Sequence, residues 1–344
     1  MTGRQVLLLG SLPAQDADDA MGMAARLLGG RLRAMPDGET GTARKDWLAG
    51  LCDEQHGHPD LEVVRPGAWR DYDDVPRLRV RRGHRLYGTN LDYGHAEAAR
   101  ESLPALQRVR EQLGRPDLPF QASVPGDFDT AFFTLGPVDG LRNLRAFTEM
   151  TLREVREVKE TAGDDTVFQI EVPVELVMMI KAPARVRPVV ASRLAEGILR
   201  IARNSPAGTR FGVHLCVGDL NNRPLAEMED VSPLVLLANA VTRRWPEGRP
   251  LLYVHAPLAA ADQPAPVRAD YYAPLRDLEL PVGVDLVAGF VHERQDLADQ
   301  RRIRDQVDDL VGLQVDVAAA CGLGRRTREA AERNLAQAAA LAED

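Results

Sequence analysis

The sequence has few cysteines, no excess of basic charge and no long apolar run, and each shortage excludes a class of protein. Three cysteines among 344 residues do not make a disulfide framework, which favours a reducing cytoplasm. A formal net charge of −8 gives no reason to expect a nucleic-acid partner. No stretch approaches the roughly 20 apolar residues of a membrane helix. The N-terminal MTGRQVLLLGSLP lacks a small-residue cleavage site, so it predicts a first strand and not a signal peptide.

Short apolar runs alternate with longer amphipathic segments along most of the chain. The predicted strands are Gln5–Gly10, Leu32–Met35, Phe120–Val124, Val167–Val172, Phe211–Cys216, Leu251–His255, Val282–Gly289 and Leu313–Ala318. The clearest helical patterns are Asp139–Thr161, Val189–Asn204, Val231–Arg244, Gln295–Leu310 and Arg326–Ala342. Eight strands that alternate with helices predict an α/β fold, a (β/α)8 TIM barrel, with an open doubly wound sheet as the rival.

The region 52–115 interrupts this alternation with clusters of proline, glycine and charge. It contains two weak strand patterns, Leu61–Val64 and Arg77–Arg81. We interpret it as an elaborated connection after the second strand, an insertion or lid-like segment at the barrel mouth. No repeat or low-complexity linker indicates a second domain, so we expect one TIM-barrel domain over residues 1–344.

The rare residue types fall where predicted strands end. His214 and Cys216 end the fifth strand as an i, i+2 pair, which places both side chains on one side of it. Cys321 follows the eighth strand. Loops at the C-terminal ends of barrel strands share one rim, so the three residues can meet. Two thiolates and an imidazole suit Zn²⁺, although each residue taken alone is more typical of core packing.

Other polar residues belong to the same rim. Glu171 ends the fourth strand, His255 ends the sixth, and His292 follows the seventh. Glu39 follows the second strand, and Ser11 ends the first. The strands were assigned from apolar runs alone, so this convergence of polar residues is independent support for a functional rim.

These motifs resemble those of the cobalamin-independent methionine synthase family, in particular its C-terminal catalytic barrel and the shorter stand-alone members. The resemblance covers nearly the whole chain through sparse motifs in the family's order. The segments that carry it are Gly10-Ser11-Leu12-Pro13, Asp37-Gly38-Glu39, Gln169-Ile170-Glu171-Val172-Pro173, His214-Leu215-Cys216 and Cys321-Gly322-Leu323.

The resemblance implies a role for each matched position. His214, Cys216 and Cys321 would be zinc ligands. Ser11, Glu39 and Glu171 would hold the carboxylate and amino groups of a homocysteine-like thiol, which suits a hydroxyl and two carboxylates. His292, in Val291-His292-Glu293, would be the catalytic residue that transfers a proton to the leaving group.

The sequence departs from the family in three respects. The family's fourth ligand is a glutamate after the sixth strand, where this chain has His255. His255 is therefore a candidate fourth ligand, with a substrate contact or a site of three protein ligands as the alternatives. Glu171 replaces a shorter aspartate of the family. The large N-terminal domain of the full-length synthases is absent from this sequence.

The function expected from these residues is a zinc-dependent methyltransferase or alkyltransferase that activates a thiol. Its partners would be a small-molecule thiol and a methyl or alkyl donor, for example a folate or a corrinoid protein, and a homodimer is possible. One alternative is a metal-dependent lyase or hydrolase of specialised metabolism on the same barrel. The other is a non-catalytic barrel that binds a metal or an amino acid.

Overall fold

The computed structural model describes residues 3–40 and 48–343. The β-strands are β1 (Val6–Leu7), β2 (Met35–Pro36), β3 (Leu61–Arg65), β4 (Arg77–Val80), β5 (Phe120–Pro125), β6 (Val167–Val172), β7 (Arg210–Leu215), β8 (Leu251–Pro257), β9 (Asp285–Val291) and β10 (Asp316–Ala319). The α-helices are α1 (Ala17–Leu28), α2 (Leu48–Glu54), α3 (His95–Leu113), α4 (Asp127–Ala162), α5 (Pro173–Lys181), α6 (Arg187–Asn204), α7 (Ser232–Thr242), α8 (Ala269–Tyr272), α9 (Leu297–Val311) and α10 (Arg328–Glu343).

Eight of the strands form one parallel sheet in the order β1-β10-β9-β8-β7-β6-β5-β2. A parallel bridge joins Val6 to Leu32, and the Arg33 amide donates to the Val6 carbonyl at 3.0 Å. These contacts bring the chain before β2 against β1, so the two ends of the strand order meet. The predicted α/β barrel is confirmed, and the rival open sheet is wrong.

The strand residues alternate between two buried surfaces. Phe168 and Ile170 of β6 face outward and join the main core between the sheet and the helices. Val167 belongs instead to the smaller apolar cluster inside the barrel, together with Leu7 and Tyr253. Strands covered on both faces must be apolar on both, which is why the sequence shows apolar runs there.

Helix α4 begins before its predicted segment, and a glycine separates its first turns from the rest of the helix. Gly136 has φ 82° and ψ 177°, outside helical values, and Pro137 follows it. The helical pattern in the sequence begins only after this break, at Asp139, so the first turns of α4 were not predicted.

The region 52–115 contains both added structure and a helix of the barrel. Strands β3 and β4 pair antiparallel in a separate two-stranded sheet, as the two weak patterns predicted, while α3 packs against α1 and α4. The loop between β3 and β4 reaches the segment after β7. There the Leu220 amide donates to the Tyr72 hydroxyl at 3.0 Å, and Asn221 donates to the Trp69 carbonyl at 2.9 Å.

Among residues 3–40 and 48–343, no helix has both the length and the apolar character needed to cross a bilayer. Interpretation of the chain as a single domain stays a prediction.

Candidate metal centre at the barrel mouth

Three sequence-predicted residues converge at the C-terminal ends of β7 and β10. The ligand atoms of His214, Cys216 and Cys321 all lie within 4.8 Å of one another, and the two Sγ atoms are 3.9 Å apart. Tetrahedral zinc with Zn–S bonds of about 2.3 Å requires an S···S separation of about 3.8 Å. The donor set and its spacing therefore fit a zinc ion.

The two thiols differ in their hydrogen-bonding surroundings. Cys216 donates to the Cys321 sulfur, and this bond, with His214 and Arg325 nearby, lowers the pKa of Cys321 well below its usual value. The Arg325 guanidinium also donates to Cys321 Sγ at 3.5 Å. The Gly218 amide donates to Cys216 Sγ at 3.3 Å. The surroundings thus stabilise negative charge on Cys321, as a thiolate ligand requires, whereas the bond to Cys321 and burial raise the pKa of Cys216.

His255 lies behind His214 and is not one of the three converging residues. The two residues are register partners on β8 and β7, and their Nδ1 atoms are 2.7 Å apart. The other ring nitrogen of His255, Nε2, lies 3.0 Å from the Ala319 carbonyl oxygen. Burial is the main cause that lowers the pKa of His255 well below its usual value. Both ring nitrogens thus already have partners within the protein.

The predicted substrate residues line one cavity with the two sulfurs. This cavity of about 90 Å³ is bounded by Ser11, Glu39, Glu171, Cys216 and Cys321, among others. All of these residues lie at the same end of the barrel, as the parallel strand order requires.

The two carboxylates of the cavity are close enough to affect each other. Burial raises the pKa of Glu171 well above its usual value, and the charges of Glu39 and Cys321 add to the shift. The side-chain amide of Gln169 donates to Glu171 Oε1 at 2.9 Å. Glu39 has a positive φ of 44°, which is uncommon for a residue other than glycine. Such conformations concentrate at functional sites.

Ser11 is held by the glycines that follow Cys321. Its Oγ accepts from the Gly324 amide at 3.3 Å, and its carbonyl accepts from the Leu323 amide at 2.8 Å. A Cβ on Gly322 would lie 2.3 Å from Ser11 Oγ. The Cys-Gly-Leu motif therefore serves two purposes, because it supplies a sulfur and allows the first-strand serine to approach.

His292 is not brought into this cavity among the residues that the structure describes. The ring is buried, its Nδ1 accepts from the Arg294 amide at 3.2 Å, and its own amide donates to Gln300 at 3.0 Å. Burial lowers the pKa of His292. A catalytic role for this residue stays a prediction.

Several further residues that line the cavity were not predicted from the sequence. Trp69, Tyr72 and Phe133 supply aromatic surface, and Asp219 and Arg325 supply charge. Arg325 and Asp219 form an ion pair at 3.4 Å. Arg325 could have been found from its position four residues after Cys321. The aromatic residues lie far from every motif, and no local signal identifies them.

Comparison with family models finds no match, and comparison with curated proteins finds none either. Solved structures share the fold. A B12-independent methionine synthase from Shewanella sp., in complex with selenomethionine, is 13% identical over 99% of this chain and 97% of that chain, with a TM-score of 0.65. A B12-independent methionine synthase homologue from Listeria monocytogenes is 12% identical over 96% and 85% of the two chains, with a TM-score of 0.58.

A methyltransferase from Methanosarcina mazei is a third structural neighbour. It is 14% identical over 100% of this chain and 94% of that chain, with a TM-score of 0.53. At these identities the similarity establishes the barrel architecture that the chains share. The chemistry has to be argued from the site.

Proposed function

We propose that this chain is a member of the cobalamin-independent methionine synthase family, a zinc-dependent transferase that moves a methyl or larger alkyl group onto a thiol. The main support is that His214, Cys216 and Cys321 lie together and that the two cysteines line a cavity with Glu39 and Glu171. When bound, zinc would supply a Lewis acid that keeps a substrate thiol deprotonated near neutral pH. Three protein ligands leave a coordination position for that thiol.

The proposed thiol carries an ammonium group. Buried Glu39 and half-buried Glu171 line the cavity with the sulfurs and favour a cation, and the Ser11 hydroxyl with neighbouring amides is suited to a carboxylate. A homocysteine-like molecule has all three groups. Selenomethionine, the molecule bound by the Shewanella neighbour, has the same ammonium and carboxylate groups with a methyl selenoether in place of the thiol, and that supports the assignment of Ser11, Glu39 and Glu171 to substrate binding.

The electrophile would approach from the aromatic side of the cavity. Trp69, Tyr72 and Phe133 line the same cavity as the two sulfurs and would exclude water from the reacting atoms. A folate or a corrinoid protein is the proposed class of donor. The proton for the leaving group is assigned to His292 by the family resemblance alone, since its ring does not line the cavity.

Metal analysis of purified protein tests the proposal directly. The wild type is expected to bind one zinc ion, and Cys216→Ser and Cys321→Ser are each expected to lose most of it. Cys52→Ser is the matched control because Cys52 is also buried but bonds to Thr134 at 3.4 Å, away from the trio. Unchanged zinc in both site variants would overturn the metal assignment.

Zinc-edge X-ray absorption tests thiol activation separately. Adding homocysteine is expected to introduce one more sulfur into the zinc shell, and a panel of methyl donors should then yield an S-methyl product. Zinc binding without thiol alkylation by any donor would contradict the transferase and favour a lyase, a hydrolase or a binding protein on the same barrel.

A further inference from the structure

The contact between His214 and His255 determines which ring nitrogen of His214 is available to a metal. Nδ1 of His214 lies 2.7 Å from Nδ1 of His255, a hydrogen-bond distance, so one of these nitrogens must carry a hydrogen. Since Nδ1 of His214 is engaged in this contact, Nε2 is its nitrogen available to a metal.

The surroundings of His255 decide which histidine donates. The Ala319 carbonyl, 3.0 Å from His255 Nε2, can only accept, so His255 Nε2 carries a hydrogen. A neutral imidazole has one N–H, which leaves His255 Nδ1 as an acceptor. His214 must then donate from Nδ1, and its Nε2 keeps the lone pair that a zinc ligand needs.

Packing holds the His255 ring in this orientation. Its side chain is fully buried, and a Cβ on Gly289 of β9 would lie 2.4 Å from its Nε2. Ala319 lies where the register between β10 and β9 shifts, and its carbonyl accepts from the ring. Three neighbouring strands therefore fix the ring, as for residues that orient metal ligands from behind.

We propose that His255 is a positioning residue that fixes the tautomer and orientation of His214, and is not itself the fourth ligand of the metal. The proposal rests on the proposed zinc site and sharpens it. The site then has three protein ligands, and its fourth position belongs to the substrate thiol. His255 would thus stand at the strand position where the family has a glutamate ligand, but it would orient His214 and would not bind the metal.

Two substitutions separate positioning from coordination. In His255→Gln the side-chain amide can accept from His214 and donate to Ala319, whereas His255→Met fills similar space with neither function. Zinc affinity, measured by competition with a chromophoric chelator, is expected to fall about 10–100-fold in His255→Met and to stay near the wild-type value in His255→Gln. Thermal unfolding of the metal-free variants checks that both fold.

Nitrogen-15 NMR of the histidine rings reads the tautomers directly. In the zinc-loaded wild type we expect His214 protonated at Nδ1 and His255 protonated at Nε2, with each signal assigned by its loss in His214→Ala or in His255→Gln. X-ray absorption is expected to show one imidazole at the metal.

Two imidazoles at the metal, or equal zinc affinity in His255→Gln and His255→Met, would overturn the positioning role while leaving the zinc enzyme intact. A wild type that binds no zinc would overturn both proposals.

Discussion

The two ends of the barrel compensate their buried charges differently. At the N-terminal end of the strands, Arg4 pairs with Asp308 at 2.7 Å, and Arg33 bonds to Asp285 and Asp316. Each of these three carboxylates has an arginine partner. At the C-terminal end, Glu39 and Glu171 share a cavity with two cysteines.

A second group of acids at the C-terminal end shows the same excess. Asp127, Asp129 and Glu175 are buried where α4 and α5 begin, and Arg200 pairs with Asp127 at 2.7 Å. Burial raises the pKa of Asp129 well above its usual value and that of Glu175 to about 7. The three carboxylates named at the N-terminal end each have an arginine, whereas at the other end neighbouring carboxylates add to the raised pKa values of Asp129 and Glu171, an electrostatic cost of a kind that concentrates at functional sites.

The largest effect is expected from breaking the paired end. Arg33→Met removes the cation from Asp316, whose side chain is 12% exposed, and from exposed Asp285, and should lower the free energy of unfolding by about 3 kcal/mol. Zinc content should not change, because the substitution lies at the opposite end. Urea denaturation and metal analysis measure the two quantities.

Arg31→Met is the matched control, since the Arg31–Glu343 pair is exposed and such pairs contribute little. Equal destabilisation by the two substitutions would contradict the contrast between the ends.

The next effect concerns pH and the acids of the other end. An acid whose pKa is higher in the folded than in the unfolded protein destabilises the fold once it ionises. The contribution of Glu175 to the free energy of unfolding is therefore favourable at low pH. It is lost as the pH rises from about 4.5 towards the pKa of about 7 that Glu175 has in the folded protein.

Glu175→Gln should remove this loss. The difference in free energy of unfolding between the variant and the wild type should therefore be about 2 kcal/mol more favourable to the variant at pH 8 than it is at pH 5. Urea denaturation at both pH values measures it, with Glu149→Gln as the control because the Glu149 side chain is 41% exposed and pairs with Arg145. A wild type and a Glu175→Gln variant with the same pH dependence would refute the assignment.

The smallest effect on stability is expected at the substrate cavity. Glu39→Gln relieves the repulsion with Glu171 and should stabilise the fold by at most about 1 kcal/mol. The same change should weaken binding of homocysteine about tenfold, because the ammonium loses a carboxylate.

The matched probe is 4-mercaptobutyrate, which keeps the thiol and the carboxylate but has no amino group. Its binding to Glu39→Gln should equal its binding to the wild type, and calorimetry compares the two thiols. Equal loss for both thiols would show that Glu39 does not act on the amino group.

Several features of the site could be predicted from local sequence. The i, i+2 spacing of His214 and Cys216 places both on one side of a strand whatever the surrounding fold. The apolar runs located all eight barrel strands within a few residues, since strands buried on both faces have to be apolar. Cys321 followed from the same reasoning, because parallel strands end at one rim.

The sequence by itself therefore determined the barrel, the rim and the three converging donors, because these depend on periodicity and strand order. Only the tertiary structure decided what surrounds them. Trp69 and Tyr72 reach the cavity through contacts with residues about 150 positions away, and His292 lies outside it. The environment of His255 depends on Gly289 and Ala319 from two other strands, so no spacing along the chain could show that both of its nitrogens are already bound.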